Sequence, residues 1–179
     1  MPNNKQLPSG NSQHGAALIF SMILLLVLTL LGLSSMRTAT LEEKMAYNMR
    51  DMNLAFEAAE SGLREAETWL DQQANEASVN NQAFVYPPDA APELTTQTHS
   101  WWSNADNSAS YGIAGSTALG EVNSQPRFVI EQRAFVPDSL VQGFEPPKGK
   151  NLYRVTARGT GATDTAQSIS QSTFAKRFN

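Results

Sequence analysis

The sequence predicts an α+β fold in which a long N-terminal helix, apolar in its first half, packs on a small antiparallel β-sheet head. Residues 16–36 carry no charge, and an apolar repeat of three and four continues without proline to residue 70. Residues 127–179 hold three stretches with strand-like character. A helical half that is followed by a strand-rich half predicts this fold class.

The apolar segment 16–36 is about 30 Å long as a helix, which is the thickness of a bilayer's hydrocarbon core. Three interpretations stay open. It is a secretory signal that is cut near residues 32–34, an uncleaved membrane anchor, or the new N-terminus that remains after a leader is removed at Gly15. Basic residues lie on both sides of the segment, so they do not decide its orientation.

The helix is predicted from residue 16 to about residue 74, where the polar tract 71–75 ends it. We expect it to cover the sheet through Phe56, Ala59, Leu63 and Leu70, and to present its opposite face to neighbouring molecules. Charged residues, Asp51 among them, are assigned mostly to other faces. The apolar row itself consists of Leu41, Met45, Met49, Met52, Phe56, Ala59, Leu63, Ala66 and Leu70.

The predicted sheet is an antiparallel meander of strands at 127–136, 152–159 and 165–174, with short connections between them. Alternation in the middle strand is clear. It places Tyr153, Val155 and Ala157 on one side, and Arg154, Thr156 and Arg158 on the other.

Residues 76–126 are polar and rich in Asn, Ser and Pro, which predicts an irregular region with one short strand at 84–86. The pair Trp101 and Trp102 lies inside it. Such a pair either anchors the loop on the core or forms an exposed partner-contact surface, and both residues are candidates for the second role. The predicted organisation is therefore a polar segment at 1–15, an apolar helix at 16–36, an amphipathic helix at 37–75, an irregular region at 76–126 and a β-sheet at 127–179.

Charge is unevenly distributed along the chain. Residues 37–76 contain four basic and nine acidic residues, a balance of −5, whereas residues 127–179 contain eight basic and four acidic residues, a balance of +4. Either the two regions pair between neighbouring subunits, or both are solvated surfaces. The net charge of −4 does not indicate nucleic-acid binding.

The residue types that carry catalysis are sparse. The chain has no cysteine, and its two histidines, His14 and His99, have no second histidine at ligand spacing. No motif for a serine nucleophile, a phosphate-binding loop or a dinucleotide site occurs. We therefore predict no enzyme activity, catalytic residue, metal, cofactor or small-molecule substrate.

Four segments resemble the PilX minor pilins of type IV pili. The N-terminal similarity covers about residues 13–70, and the C-terminal similarity is one short strand. The matching motifs are Gly15-Ala16-Ala17-Leu18-Ile19, Met36-Arg37-Thr38-x-Thr40-Leu41-Glu42-Glu43-Lys44-Met45-Ala46-x-Asn48, Ala55-Phe56-x-Ala58-Ala59-Glu60 and Tyr153-Arg154-Val155-Thr156-Ala157-Arg158-Gly159.

The resemblance implies a pilin-like fold in which residues 1–15 are a leader peptide and residues 16–36 a transmembrane and filament-core helix. It implies a precursor that the family's prepilin peptidase cuts between Gly15 and Ala16, with N-methylation of Ala16. It implies a subunit held in the bacterial inner membrane, with its head in the periplasm, until the subunit enters the pilus. The implied role is to prime assembly near the tip, with other minor pilins, the major pilin and a tip adhesin as partners, in support of adhesion and twitching motility. The expected assembly face of the helix is Leu18, Phe20, Leu24, Leu25, Leu28 and Leu31; the expected head-packing residues are Phe56, Leu63, Leu70, Tyr153 and Val155.

Three departures from the family pattern are visible. Phe20 occupies the fifth mature position, where major pilins carry glutamate, and this favours a tip-proximal subunit. Ala16 replaces the common phenylalanine, and the chain cannot form the C-terminal disulfide of many pilins. The alternatives are a pseudopilin of type II secretion, a periplasmic binding module on an uncleaved anchor, and a secreted hydrolase.

Overall fold

The computed structural model describes residues 14–138 and 148–178, and it divides the chain into two units, residues 1–46 and 47–179. One helix, α1 (His14–Gln72), contributes to both units. Its end at Gln72 confirms the predicted end near residues 71–75. Of the leader predicted at 1–15, residues 1–13 lie outside the described residues.

The first unit contains the N-terminal part of α1, and residues 16–46 are all exposed in it. This part is apolar and long enough to cross a membrane. The hydroxyl of Ser21 donates to the Leu18 carbonyl at 2.8 Å, and that of Thr29 donates to the Leu26 carbonyl at 2.7 Å. Because these polar side chains bond within the helix, they add little cost in a setting without water.

The second unit is built on a sheet of five strands. The elements after α1 are α2 (Glu76–Asn80), β1 (Val85–Tyr86), a 3-10 turn (Leu94–Thr96), α3 (His99–Ser103), β2 (Ala109–Ser110), β3 (Arg127–Pro137), β4 (Gly149–Thr160) and β5 (Gln167–Lys176). The strand order is β1-β3-β4-β5, and β2 also pairs with β3. The antiparallel meander of β3, β4 and β5 confirms the prediction. The pairing of β1 with β3 is parallel, so the sheet is mixed rather than wholly antiparallel.

The main core lies between α1 and one face of the sheet. Leu63 and Leu70 on the helix, and Tyr153 and Val155 on β4, are buried there, as predicted. Trp69 and Phe84 meet edge to face, with ring centroids 5.1 Å apart. This helix-on-sheet arrangement confirms the predicted α+β class.

A smaller core covers the opposite face of the sheet. Leu94 and Trp102 pack there against Val129 of β3, with Tyr86 and Trp101 partly buried beside them. Residues 94–102 therefore form part of a second layer on the sheet. Outside its short elements the region 76–126 is irregular, as its composition predicted, and the short strand predicted at 84–86 is present at Val85–Tyr86. Phe84 and Val85 pack into the main core instead.

Candidate assembly surfaces

The predicted assembly face in the first unit is accessible along its whole length. Its side chains make no packing contact that buries them, and their exposed fractions run from 59% at Leu28 to 72% at Phe20. Since all backbone hydrogen bonds of a helix are internal, such a segment can lie in lipid or among other helices at low cost. The six residues, Leu18, Phe20, Leu24, Leu25, Leu28 and Leu31, remain a predicted face.

The predicted cleavage site falls in the first turn of α1, because that helix begins at His14. Ala16 is exposed. Cleavage and methylation here remain predictions.

The second unit has exposed apolar residues of its own on α1. Met49, Met52 and Phe56 are 68%, 50% and 52% exposed. The expectation that Phe56 packs on the sheet is therefore wrong. Ala55 is fully buried against the sheet. Successive residues of a helix are rotated by about 100°, so the next residue, Phe56, lies outside the buried face.

Small residues form a close contact between α1 and the sheet. A Cβ atom added at Gly159 of β4 would overlap the Ala55 carbonyl oxygen, the Ala59 nitrogen and the Ala58 carbonyl carbon. Backbone thus lies directly against backbone, which only glycine permits on the strand side. Two of the motifs quoted above, residues 55–60 and 153–159, meet at this contact.

Two buried carboxylates of α1 hold loops of the head in place. Asp51 Oδ1 accepts a hydrogen bond from the Ala162 nitrogen at 2.6 Å, and its Oδ2 accepts one from the Thr163 hydroxyl. Glu65 Oε1 accepts from the Ala114 nitrogen at 2.6 Å, in a turn where Gly112 and Gly115 adopt positive φ. Sequence reasoning missed both roles, because it treated acidic residues of the helix as solvated.

The Asp51 contact also shifts its ionisation. The hydrogen bond from the Thr163 hydroxyl lowers the pKa of Asp51, and the Ala162 and Thr163 backbone N–H groups add to this against the opposing effect of burial. A folded-state pKa below the unfolded value stabilises the fold above the ordinary aspartate range. That contribution is lost as the pH falls through the folded-state value.

We expect Asp51→Asn to lower the midpoint of thermal unfolding by several degrees at pH 7, because an amide cannot accept from every donor of the 162–163 turn. The difference from the native chain shrinks as the pH falls below the ordinary aspartate range and the native carboxylate becomes protonated. Thermal scans of the full chain in detergent from pH 7 down to about pH 2 measure both effects. Asp106→Asn, at an exposed position, is the matched control. A constant difference across this pH range would contradict the assignment.

The basic C-terminal region pairs mainly within its own chain. Glu131 is buried and accepts from Arg154 and, at 3.1 Å, from Arg133. Arg177 forms two hydrogen bonds with Asp138, at 2.5 and 2.7 Å, and Lys176 lies 3.2 Å from Asp71. These basic residues therefore already have acidic partners in their own chain, and pairing between neighbouring subunits stays a prediction.

Two further ionisable groups of the sheet, Tyr153 and Arg158, are buried. Burial, with a further effect of Glu76, raises the pKa of Tyr153 to about 12. Burial lowers the pKa of Arg158, whose Nη2 lies 3.3 Å from Nδ1 of His99. In residues 14–138 and 148–178, no three acidic or histidine side chains converge as metal ligands would.

Trp101 and Trp102 differ in what they can contact. Trp102 is fully buried, and the Ser108 hydroxyl donates to its carbonyl at 2.5 Å. The assignment of Trp102 as a partner-contact residue is therefore wrong, and its anchoring role is confirmed. Trp101 stacks edge to face on Trp102, with centroids 5.3 Å apart, and stays partly exposed.

A groove of about 360 Å³ borders α1 in the second unit. It is mostly apolar and lies between the helix and two loops. Its lining residues are Tyr47, Arg50, Asp51, Leu54, Glu121 and Ala162.

An N-terminal helix with an exposed apolar part and a head-packed part, on a largely antiparallel sheet, is a pilin-like fold. The chain matches the PilX N-terminal family over residues 14–64 and the family described as type IV pilus assembly protein PilX C-term over residues 56–176. The chain therefore belongs to the PilX family of type IV pilus assembly proteins, which confirms the resemblance in its motifs. No curated protein and no solved structure matched the chain.

Proposed function

We propose that this chain is a minor pilin that primes type IV pilus assembly and lies near the pilus tip. The observation that carries the proposal is the exposed apolar helix 16–36, which is continuous in sequence with a helix segment packed into a folded head. The family is one of pilus assembly, which favours this function over a type II secretion pseudopilin, a tethered binding module or a hydrolase.

In this proposal the helix first anchors the chain in the inner membrane, with the head in the periplasm. The prepilin peptidase removes residues 1–15, and Ala16 is methylated. The helix then exchanges lipid for the helices of the major pilin and other minor pilins. Both settings are apolar, so the exchange costs little, and packing selects the partner.

A tip-proximal place is supported by Phe20. Its side chain is 72% exposed and uncharged, so it needs no polar partner from a subunit above. A buried carboxylate without such a partner would be costly. Contact with a tip adhesin, and through it a role in adhesion and twitching, belongs to the same proposal.

We expect Gly15→Ala to leave the leader attached, because the proposed peptidase requires glycine before the cut. The variant chain then stays in the membrane and is absent from sheared pili. Intact mass of the purified chain measures the cut directly, and Gly10→Ala, inside the leader, is the control that should be processed normally. A variant chain that still begins at Ala16 would refute the processing step.

A further inference from the structure

Strand β5 forms an open edge of the sheet. It pairs with β4 over ten consecutive residue pairs, from Thr160 with Gln167 to Asn151 with Lys176, without a register shift. Within the described residues, no other strand pairs with it. Half of its main-chain N–H and C=O groups therefore point away from the sheet along one side, which we call the β5 edge.

The β5 edge lacks the features that normally protect such an edge from other chains. Residues 167–175 contain no charge, no proline and no glycine, and the one charged residue of the strand, Lys176, stands at its end and bonds to Asp71. Natural proteins usually guard a free edge with charges, proline, a bulge or a very short strand.

The opposite edge of the sheet, beyond β3, has each of these protective features. The strands paired there, β1 and β2, have two residues each. Where β3 continues beyond them, its pairing with β4 shifts register between Gln132 and Ala134, and the same stretch carries Arg133 and Pro137. The contrast within one sheet indicates that the unguarded edge is kept for use.

We propose that the β5 edge accepts an extended strand from a different subunit of the pilus, which continues the sheet by main-chain hydrogen bonds. This inference rests on the proposed function, since it names a contact of the assembled minor pilin. Open N–H and C=O groups in strand geometry are complementary to another extended backbone. Each main-chain hydrogen bond between the two strands contributes to binding affinity, whatever side chains the incoming strand carries.

The outer face of β5 indicates the side chain that the incoming strand brings. Ile169 is 37% exposed and lines a groove of about 350 Å³ with Arg154, Thr156 and Leu94. An apolar side chain on the incoming strand, beside Ile169, would bury it.

A second copy of the chain fits this position less well. The other outer-face residues of β5 are Gln167, Gln171, Thr173 and Ala175, as their pairing with β4 shows. Antiparallel self-pairing centred on residue 170 or 171 places Gln171 or Thr173 opposite Ile169. Self-pairing centred on Ile169 would bring two Ile169 side chains together, but only residues 167–171 of each strand would then overlap, which leaves half of each β5 edge unpaired. The occupant is therefore a strand of another subunit, with an apolar residue at that point.

Hydrogen–deuterium exchange tests the proposal on the full chain, in detergent and in sheared pili that contain it. We expect β5 amides to exchange at least tenfold more slowly in pili, while a peptide over residues 99–107 is the internal control. Equal β5 rates in pili that do contain the chain would overturn the inference and leave the proposed function intact. Absence of the chain from pili would overturn both.

Two sets of variants sharpen the test. Thr173→Glu with Ala175→Glu guards the edge with charge; both positions are exposed, and Thr173 is paired with Arg154. We expect unchanged thermal unfolding but loss of the protection in pili, whereas Thr68→Glu with Ala74→Glu, at exposed positions away from the edge, should keep it. Retained protection in the edge variant would contradict strand addition.

A cysteine variant tests whether the incoming strand is a second copy of the chain. Because the chain has no cysteine, Gln171→Cys introduces the only thiol, and a disulfide-linked homodimer in pili would refute the proposal that the strand comes from a different subunit.

Discussion

Leu24→Arg is expected to remove the chain from pili. Leu24 lies in the middle of the exposed apolar helix, and a charge at the centre of a membrane span costs about 2.5 kcal/mol or more. The same charge would be buried among helices in a filament, so it is unfavourable both in the membrane and in the pilus. We expect at least a tenfold lower amount of the chain in sheared pili, measured by quantitative immunoblotting against the major pilin.

The control for this prediction is Leu24→Met, which keeps an apolar side chain of similar volume. The head lies in a separate unit, so its thermal unfolding should be the same in both variants. Normal incorporation of the arginine variant would contradict an apolar role for this segment. Loss of the methionine variant as well would point to a specific contact of Leu24 rather than to charge.

Gly159→Ala is expected to destabilise the head strongly. The new methyl group would overlap backbone atoms of α1 at Ala55, Ala58 and Ala59, and a backbone cannot move aside as a flexible side chain can. Overpacking of this kind costs about 1–3 kcal/mol, which corresponds to a Tm lower by roughly 5–10 °C for a domain of this size. Near-ultraviolet circular dichroism of the tryptophans follows the unfolding of the full chain in detergent.

Gly120→Ala is the matched control for Gly159→Ala. A Cβ atom at Gly120 meets nothing within 4 Å, so its Tm should stay within about 2 °C of the native value. If Gly159→Ala were equally neutral, the close helix–sheet contact would not exist as described. The contact matters because a chain without cysteine must hold its head by packing and hydrogen bonds alone.

Much of the fold could be predicted from periodicity. The end of α1 and the three long strands follow from patterns that local geometry imposes on the sequence. The parallel pairing of β1 with β3 could not be predicted, because it depends on how residues 87–126 cross the second face of the sheet. Leu94 and Trp102 hold that layer in place through contacts with Val129, which is distant in sequence.

The buried face of α1 shows why the candidate surface was only partly predictable. Sequence reasoning followed the row of large apolar residues, which places Phe56 on the sheet. The sheet also covers a neighbouring row of mostly small or acidic residues, which are Asp51, Ala55, Ala58, Gly62, Glu65 and Trp69. These residues also repeat at three and four, and small residues permit closer packing than large ones. A search for that second row would have found Asp51 and Glu65.

The consequence for assembly is that one apolar row has two roles. Its later residues, such as Leu63 and Leu70, stabilise the head, while Met49, Met52 and Phe56 stay exposed. Exposed apolar side chains do not stabilise the head itself. In the proposed function, neighbouring subunits cover them in the pilus.

The intact mass of this chain in pili sheared from the cells that build them tests the central claim most directly. The proposed function predicts that the chain is present there, that it begins at Ala16, and that it carries one added methyl group. A chain found only in the membrane with Met1 intact, or only in the soluble fraction with a start near Ser35, would contradict it.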